Sequence, residues 1–355
     1  MASLPHWIRA NLFSSWPNAI ATVLIVWLAW KLAVPFFDWA FVQAIWTASD
    51  SQACRAAKGT GACWALIHEK HRFMLFGTYP YELQWRPVLV ILILLGLYVA
   101  SALRACWRPW LAGAWLLGLV AIGVLMWGGV LGLRYVENER WGGLALTLLL
   151  ATFGIALAFP LAILLALGRR SEMPVLRLMC VVYIELIRGV PLISLLFMAA
   201  VMLPLFLPEG MSIDKLLRAQ IAMILFAAAY LAEVVRGGLQ ALPRGQFEAA
   251  QALGLPYWRM TALVVMPQAL RISIPPLVNT FIGFFKDTSL VLIIGLFDLL
   301  TTVKISIGEP KWVGFGIEAY IFVSAVYFVF CFAMSRYSQD LEQELTRGAA
   351  RGGVR

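Results

Sequence analysis

Polar side chains inside apolar stretches are the residues of this chain whose types and spacing suggest chemistry. Glu185 and Arg188 stand three residues apart, so on a helix they lie on one face and can pair with each other. Charged groups are costly within a membrane unless they are paired or face a polar cavity. A later apolar stretch carries a second polar set, Asn279, Lys286, Asp287, Thr288 and Ser289. Both sets therefore either hold helices together or line a path for a polar solute.

The charged residues differ in which of these roles they favour. Glu233 and Arg236 repeat the three-residue spacing, and for them we favour an ion pair that packs helices together. Lys286 and Asp287 are adjacent and point to different sides of their helix, so each needs a partner elsewhere. For the set around Lys286 we favour the path, because it offers donors and acceptors together. Glu185 and Arg188 fit either role.

The segment Phe247–Arg271, called the docking segment below, is polar-flanked and lies between two apolar stretches. Its spacing is regular: Glu248-Ala249-Ala250, three residues, Gly254, nine residues, Val264, one residue, and then Met266-Pro267. We expect a short helix over Glu248–Leu253 that Gly254 stops, because a residue without Cβ permits a sharp exit. We expect a second helix that Pro267 ends. A helix–turn–helix of this kind suits docking onto another protein.

The composition requires a membrane setting for these residues. The chain is 62% hydrophobic and 13% charged, with a mean hydropathy of +0.83, whereas about a quarter of residues are charged in a soluble domain. Stretches of about 20 apolar residues recur, the length that crosses a bilayer as a helix. We predict an all-α membrane protein with eight spans: Pro17–Phe37, Pro87–Leu103, Trp110–Leu133, Leu144–Leu167, Leu178–Leu203, Ala219–Val235, Pro276–Leu296 and Gly316–Met334.

Arginine positions predict how the spans are oriented. Eight spans put both termini on one side of the membrane, and short cytoplasmic loops carry an excess of Lys and Arg. With the termini inside, the cytoplasmic loops hold arginine clusters such as Arg169, Arg170 and Arg177, while the short outside loops hold two cations each. This orientation puts the docking segment in the cytoplasm. It also explains the net charge of +9 as topology, so that a nucleic-acid partner is not expected.

Other chemistry finds little support in the sequence. No GxxxxGK[ST] phosphate-binding loop is present, so we expect no ATP hydrolysis by the chain itself. His68-Glu69-Lys70-His71 resembles a zinc-protease helix only superficially, because Arg72 stands where the second histidine is needed. The chain has three histidines, and we expect neither a metal site nor a cofactor. No Ser, Cys or His nucleophile arrangement indicates an enzyme.

Two of the five cysteines are candidates for a disulfide. Cys54 and Cys63 lie nine residues apart in an outer segment, 38–86, and the glycine-containing stretch between them can close into a loop. A bond in an oxidising periplasm is plausible there, with two buried thiols as the alternative. The cysteines within the spans, Cys180 and Cys331, are expected to be small packing residues.

The docking segment closely resembles the EAA loop of ABC-transporter permeases, in which the Val264 and Met266 positions are usually Ile and Leu. The resemblance continues on both sides of it. Thr147–Leu167, Tyr183–Phe197, Ala228–Ala250 and Asn279–Val291 are similar, span for span, to permeases of the polar-amino-acid (histidine/glutamine-type) importers. In the first part, GACWALI at Gly61–Ile67 and FGTYPYELQWRP at Phe76–Pro87 resemble the M-type permease subunit of general L-amino-acid transporters.

The resemblance implies an organisation of the chain. Residues 1–135 would be an N-terminal extension with three spans and the outer segment, and residues 141–335 a five-helix core of a type I importer permease. The core would contain the cytoplasmic EAA loop at 237–271, and residues 336–355 would form a cytoplasmic tail.

A function follows from the same resemblance. The chain would be the permease subunit of an ATP-driven L-amino-acid importer in a bacterial inner membrane, with Glu248, Ala249, Ala250, Gly254 and Pro267 coupling it to the ATPase. The family implies two copies of a separate ATPase that binds the ATP, a second homologous permease and a periplasmic amino-acid-binding protein. An amino-acid zwitterion needs donors and acceptors, which the set around Lys286 supplies. An ion-coupled secondary transporter is the alternative, although two homologous halves are not visible.

Overall fold

The computed structural model of the chain describes residues 4–48, 51–208 and 210–352, and of residues 4, 5, 9 and 344–352 it describes the backbone only. The tail expected at 336–355 extends beyond the described residues at 353–355. The described part consists mainly of helices, with one short strand at Phe297–Asp298 that pairs in parallel with Gly142 and Gly143. The predicted all-α fold class is confirmed.

The helices follow one another in chain order. The first six α-helices are α1 Leu4–Leu12, α2 Trp16–Phe37, α3 Ser51–Ala56, α4 Ala65–Phe76, α5 Trp85–Ala102 and α6 Trp110–Trp127. The next five are α7 Gly143–Arg169, α8 Pro174–Gly189, α9 Leu192–Phe197, α10 Leu203–Leu205 and α11 Lys215–Gln240. The last five are α12 Arg244–Ala252, α13 Tyr257–Met260, α14 Met266–Asp287, α15 Leu299–Gly308 and α16 Gly316–Gly352.

Shorter helical turns of other types adjoin these helices. Three are π-helices, at Asp38–Val42, Met198–Met202 and Thr261–Val265. Four are 3₁₀-helices, at Tyr81–Leu83, Arg104–Cys106, Asn138–Arg140 and Thr288–Ile294.

Seven helical runs in the described residues are long and apolar enough to cross a membrane, and a bent pair of helices makes an eighth. The runs are Trp16–Val42, Tyr81–Ala102, Trp110–Trp127, Gly143–Arg169, Lys215–Gln240, Tyr257–Ile294 and Gly316–Gln343. The third run ends before the predicted Leu133, because Gly128 and Gly129 take positive φ angles of 69° and 77°, which a helix does not accept.

The predicted span Leu178–Leu203 is the bent pair. Helix α8 ends at Gly189, and the run Leu192–Leu205 continues at an angle of 101° to it. Pro191 explains the break, since proline has no N–H to continue the helix and forces the residue before it out of the helical region. Val190 accordingly has φ −111° and ψ 134°. The bend that the sequence predicts from Pro191 is present.

Contacts divide the chain into two compact units, residues 1–71 with 307–322 and residues 72–306 with 323–355. The second unit is built around α7, which packs along α11. Ala158, Ala162 and Ala166 stand four apart on α7 and are fully buried, as are Ala228 and Ala232 on α11. Such small residues allow two membrane helices to approach closely, which increases their van der Waals contact. We call this contact the alanine seam.

The first unit joins a segment of the N-terminal extension to the chain just before the last span. A disulfide links Cys54 to Cys63, with Cα atoms 5.6 Å apart, and the Cys63 amide donates to the buried Glu318 carboxylate at 3.0 Å. Trp312 is fully buried and donates its indole N–H to Glu69. Burial raises the pKa of the Glu69 carboxyl, but hydrogen bonds from Lys311 and Trp312 outweigh it and hold the pKa below its usual value.

Gly143, at the start of α7, generates a stability prediction for the second unit. Its φ is +62°, and a Cβ there would stand 2.2 Å from the Leu75 carbonyl carbon. An L-residue loses about 1–2 kcal/mol in the left-handed region, and the overlap with backbone adds to it. We expect Gly143→Ala to destabilise the protein by more than about 2 kcal/mol and to lower the midpoint of thermal unfolding in detergent.

Gly96, in the interior of α5, is the matched control, because nothing lies within 4 Å of a Cβ built there. Gly96→Ala should leave the unfolding midpoint unchanged or raise it, since alanine favours a helix over glycine by about 1 kcal/mol. Equal midpoints for Gly143→Ala and the wild type would contradict the close approach at Leu75.

Candidate functional sites

The docking segment forms a helix, a sharp turn and a second helix. The first helix, α12, is followed by Gly254 with φ +73°, and no atom lies within 4 Å of a Cβ built on that glycine. The requirement for glycine is therefore one of backbone conformation and not of space. Pro256 then caps α13 with an extended backbone. The predicted stop at Gly254 agrees with this geometry.

The prediction that Pro267 ends the second helix is wrong. Tyr257–Ile294 is one continuous helical run, and Pro267 lies in the first turn of α14. The π-helix Thr261–Val265 immediately before it explains how the proline fits. Proline in a helix lacks a donor and crowds the carbonyl four residues earlier, and the wider π turn falls where that carbonyl lies.

The exposed surface of the docking segment carries large apolar side chains. Leu253, Trp258 and Tyr257 are 80%, 67% and 51% exposed, and Glu248 and Ala249 beside them are exposed as well. Ala250 is buried at 3% exposure, so within the EAA triplet only the first two residues are open to a partner. Exposed large apolar side chains that cluster on a surface indicate a protein contact.

Two side-chain contacts position the docking segment. The Arg170 guanidinium lies over the Phe247 ring, 5.7 Å from its centroid, and connects the segment to the end of α7. Gln268 of α14 donates to the side chain of Gln246, the residue of α12 just before the segment, at 3.0 Å. The second contact holds α12 and α14 to each other.

A cluster of arginines and glutamates joins the ends of three helices, and we call it the arginine–glutamate cluster: Arg169 of α7, Glu185 and Arg188 of α8, and Glu233 and Arg236 of α11. Arg169 contacts Glu185 at 2.8 Å and Glu233 at 2.9 Å. Arg236 contacts Glu233 at 2.8 Å and Arg188 contacts it at 3.5 Å.

The expected pairing within this cluster is half right. Glu233 and Arg236 do pair with each other. Glu185 and Arg188, which their spacing allows to pair with each other, instead take partners from other helices, Arg169 and Glu233 respectively. The reason is the close approach of α7, α8 and α11, which offers each charge a partner across helices that sequence spacing alone does not reveal. From the sequence, Arg169 is expected only to be one of the cytoplasmic arginines that set the orientation of the spans.

The second polar set lies at the end of α14, where the helix tightens into the 3₁₀-helix Thr288–Ile294. Asn279 and Lys286 are exposed and Asp287 and Ser289 are partly exposed. Thr288 is fully buried and donates to the Phe285 carbonyl at 2.8 Å. Four members of the set therefore lie at the surface of their unit, while the Thr288 hydroxyl is bonded to the backbone of its own helix.

The two polar sets are separate in the structure. Among the described residues, no ion pair or hydrogen bond joins the arginine–glutamate cluster to the set on α14. Glu185 and Arg188 belong to a network at the end of α7 that faces the docking segment. Their surroundings are those of a helix-linking cluster, which distinguishes them from Asn279, Lys286, Asp287 and Ser289.

Comparisons with known proteins agree with this geometry. Residues 158–346, more than half of the 355-residue chain, match the family described as binding-protein-dependent transport system inner membrane component. The inner membrane amino-acid ABC transporter permease protein YhdY of Escherichia coli (strain K12) is 51% identical, over 96% of this chain and 93% of the relative.

A second relative and a solved structure are also similar. The glutamate/glutamine/aspartate/asparagine transport system permease protein BztC of Rhodobacter capsulatus is 40% identical, over 96% of this chain and 93% of that protein. A solved structure described as an amino acid ABC transporter with histidines is 31% identical, over 56% of this chain and 90% of the solved chain. Its TM-score is 0.49. The family match over residues 158–346 and the two relatives at 51% and 40% identity show that the chain belongs to the family of inner-membrane components of binding-protein-dependent transport systems, as a multi-pass transport subunit.

Proposed function

We propose that this chain is the permease subunit of an ATP-driven importer for L-amino acids. The observation that carries the proposal is its similarity to YhdY and BztC, whose names state amino-acid transport, over nearly the whole length of all three chains. The similarity includes the N-terminal part, because both relatives cover 96% of this chain, whereas the probable glutamine ABC transporter permease protein GlnP of Bacillus subtilis covers 58% of it. An exposed docking segment fits this function better than it fits an ion-coupled secondary transporter.

Hydrolysis of ATP is assigned to a partner. The sequence carries no phosphate-binding loop of the GxxxxGK[ST] type, and we propose that the partner ATPase subunits bind the ATP. The energy of hydrolysis then enters through the docking segment as force on α12 and α13.

The assembly that we propose has two permeases over two ATPase copies, fed by a periplasmic amino-acid-binding protein. The second permease is a homologous chain, because general amino-acid systems resemble that plan. Residues 1–135 are an accessory part of the permease and residues 141–335 its five-helix core, with residues 336–355 as a cytoplasmic tail. The Cys54–Cys63 disulfide supports an outside location for the segment 38–86, since such bonds persist in oxidising compartments.

Both termini are assigned to the cytoplasm, because short loops on that side carry the arginine clusters. The expected result is specific for two positions. A cysteine introduced at Lys58 should react with a membrane-impermeant maleimide from outside only, and one introduced at Arg259 from the cytoplasm only, since both positions are exposed. Labelling of both from the same side would refute the proposed number of spans.

Docking of the ATPase on the docking segment gives the next prediction. Gly254→Val should uncouple transport, because a β-branched residue resists the φ of +73°. Glu248→Lys should weaken docking by reversing an exposed charge at the contact. In each variant we expect uptake to fall about tenfold or more, the effect of some 1.4 kcal/mol. Native mass measurement of the purified complex should find less bound ATPase.

Two control variants separate docking from general damage. Gly254→Asn keeps a residue that tolerates the left-handed conformation and should retain most of the uptake. Glu172→Lys makes the same charge change on the exposed turn between α7 and α8, outside the docking segment, and should transport normally. Normal uptake by both Gly254→Val and Glu248→Lys would exclude the docking assignment.

The wild-type complex should contain two ATPase copies and two permeases of different mass.

The pathway is assigned to the end of α14. Asn279, Lys286, Asp287 and Ser289 present donors and acceptors at positions that are exposed or partly exposed. Such groups can replace part of the hydration that a zwitterionic amino acid loses on entering the membrane. The Thr288 hydroxyl donates to the Phe285 carbonyl and so stabilises the start of the 3₁₀-helix that contains Ser289.

Replacing Asn279 or Asp287 by leucine tests this pathway. We expect lower uptake or altered selectivity among amino acids, with the ATPase still bound, because a polar contact for the solute is lost. Thr280→Val is the matched control, since the Thr280 hydroxyl is bonded to the Pro276 carbonyl of its own helix at 2.9 Å. A packing role predicts poor insertion or assembly instead, as Lys286 would lose a nearby charge. Normal assembly with unchanged uptake and selectivity would rule out a substrate role.

A further inference from the structure

Glu233 is a carboxylate that three arginines share. Arg169, Arg188 and Arg236 approach it at 2.9, 3.5 and 2.8 Å, and Arg236 does so with both its Nε and an Nη atom. The three arginines come from three different helices, α7, α8 and α11. The Glu233 side chain is 14% exposed, the least of the five in the arginine–glutamate cluster. It is the common point at which the three helix ends meet.

The cluster contacts the two elements that a transport cycle must connect. On one side, Arg169 is followed by Arg170, whose guanidinium lies over the Phe247 ring of the docking segment. On the other side, Arg188 is the last charged residue before the 101° bend between α8 and the run from Leu192. A displacement of α12 therefore reaches the end of α7 through Phe247, and from there Glu233 and Arg188.

We propose that Glu233 is a positioning residue that couples the docking segment to the bend between α8 and α9. The inference rests on the proposed function, because it needs an ATPase that moves the docking segment. It gives the arginine–glutamate cluster a role in the cycle, where sequence spacing indicated helix packing for Glu233 and Arg236 and left Glu185 and Arg188 open.

The composition of the cluster supports exchange of partners over fixed packing. Three arginines face two glutamates, so the cluster keeps a surplus positive charge, and all three arginines share the Glu233 carboxylate. Arg169 already bridges Glu185 and Glu233. Glu185 is 55% exposed and Arg188 35% exposed, so water can replace a released partner there. Glu233 is the member that must stay paired, because leaving a buried charge unpaired is costly.

These features define how the cluster acts. When the docking segment moves, Phe247 displaces Arg170 at the end of α7, and Arg169 shifts its position between Glu185 and Glu233. Glu233 then holds Arg188 more or less tightly, and α8 turns about the break at Val190 and Pro191. Two arrangements of one cluster thus correspond to two angles of the bent span, which is what coupling between two sites requires.

The test uses the complete complex in proteoliposomes, with ATP hydrolysis measured with and without loaded binding protein, and uptake measured in parallel. In Glu233→Gln we expect the ATPase to remain bound and its hydrolysis without binding protein to stay at the wild-type rate. Stimulation by binding protein and uptake per ATP should fall about tenfold, the scale of an ordinary coupling free energy. A purely structural role would lower yield and leave that ratio unchanged.

A mutant cycle tests the path through α7. Arg169→Gln should resemble Glu233→Gln, and the double variant should be no worse than either, because both changes break one connection. Glu139→Gln is the matched control, since it removes an exposed ion pair with Lys215 (3.3 Å) at the opposite end of α11. It should behave as the wild type.

The outcomes separate the inference from the function on which it rests. Wild-type stimulation and uptake per ATP in Glu233→Gln, or strictly additive losses in the double variant, would overturn the coupling role. If Glu233→Gln does not assemble, Glu233→Asp and Arg169→Lys replace it, since both keep the charge and change its reach; wild-type ratios in both would equally overturn it. A wild-type chain that retains no ATPase and drives no uptake would instead refute the proposed function.

Discussion

Close packing of α7 against α11 is the contact on which the rest of the second unit depends. The fully buried alanines of the seam, such as Ala162 and Ala232, allow the two backbones to approach closely, as small residues do in membranes. The ends of both helices then lie side by side. The Arg169 and Glu233 side chains are 2.9 Å apart, because the packing of α7 along α11 places them at adjoining helix ends. Helix α12 begins shortly after the end of α11. A larger residue in the seam would separate the charges along with the helices.

The charges in turn explain why this end of the unit is not simply apolar. Buried ion pairs add little stability compared with apolar packing of the same shape, so a five-membered cluster is a poor way to hold helices that already pack through alanines. Its contribution is better understood as geometric. It fixes where α8 lies relative to α7 and α11, and it does so through contacts that can be exchanged. The alanine seam holds α7 and α11 against each other, and the cluster connects α8 to both through contacts that can be exchanged.

Local sequence signals predicted the features that depend on local physics. Hydropathy located the spans, Pro191 the bend, and Gly254 the turn, because each follows from the chemistry of one residue or one stretch. The failures arose where distant parts of the chain compete. Glu185 could have paired with Arg188 three residues away, but the packing of α7 against α8 brings Arg169 to 2.8 Å from it. Pro267 should have ended a helix, but the π-helix Thr261–Val265 accommodates it. No spacing rule reveals that Arg169 lies beside Glu233.

The continuous helix from Tyr257 to Ile294 has a mechanical consequence. Had Pro267 ended a helix, the docking segment would be a loop, and force applied at Trp258 would be lost in bending it. An unbroken run instead connects the exposed Trp258 to Asn279 and Asp287 at the other end of α14. Its interior prolines, Pro275 and Pro276, weaken the hydrogen bonding at one place and favour a bend there. The same helix therefore carries both the surface that we propose to bind the ATPase and the polar groups that we propose to contact the solute.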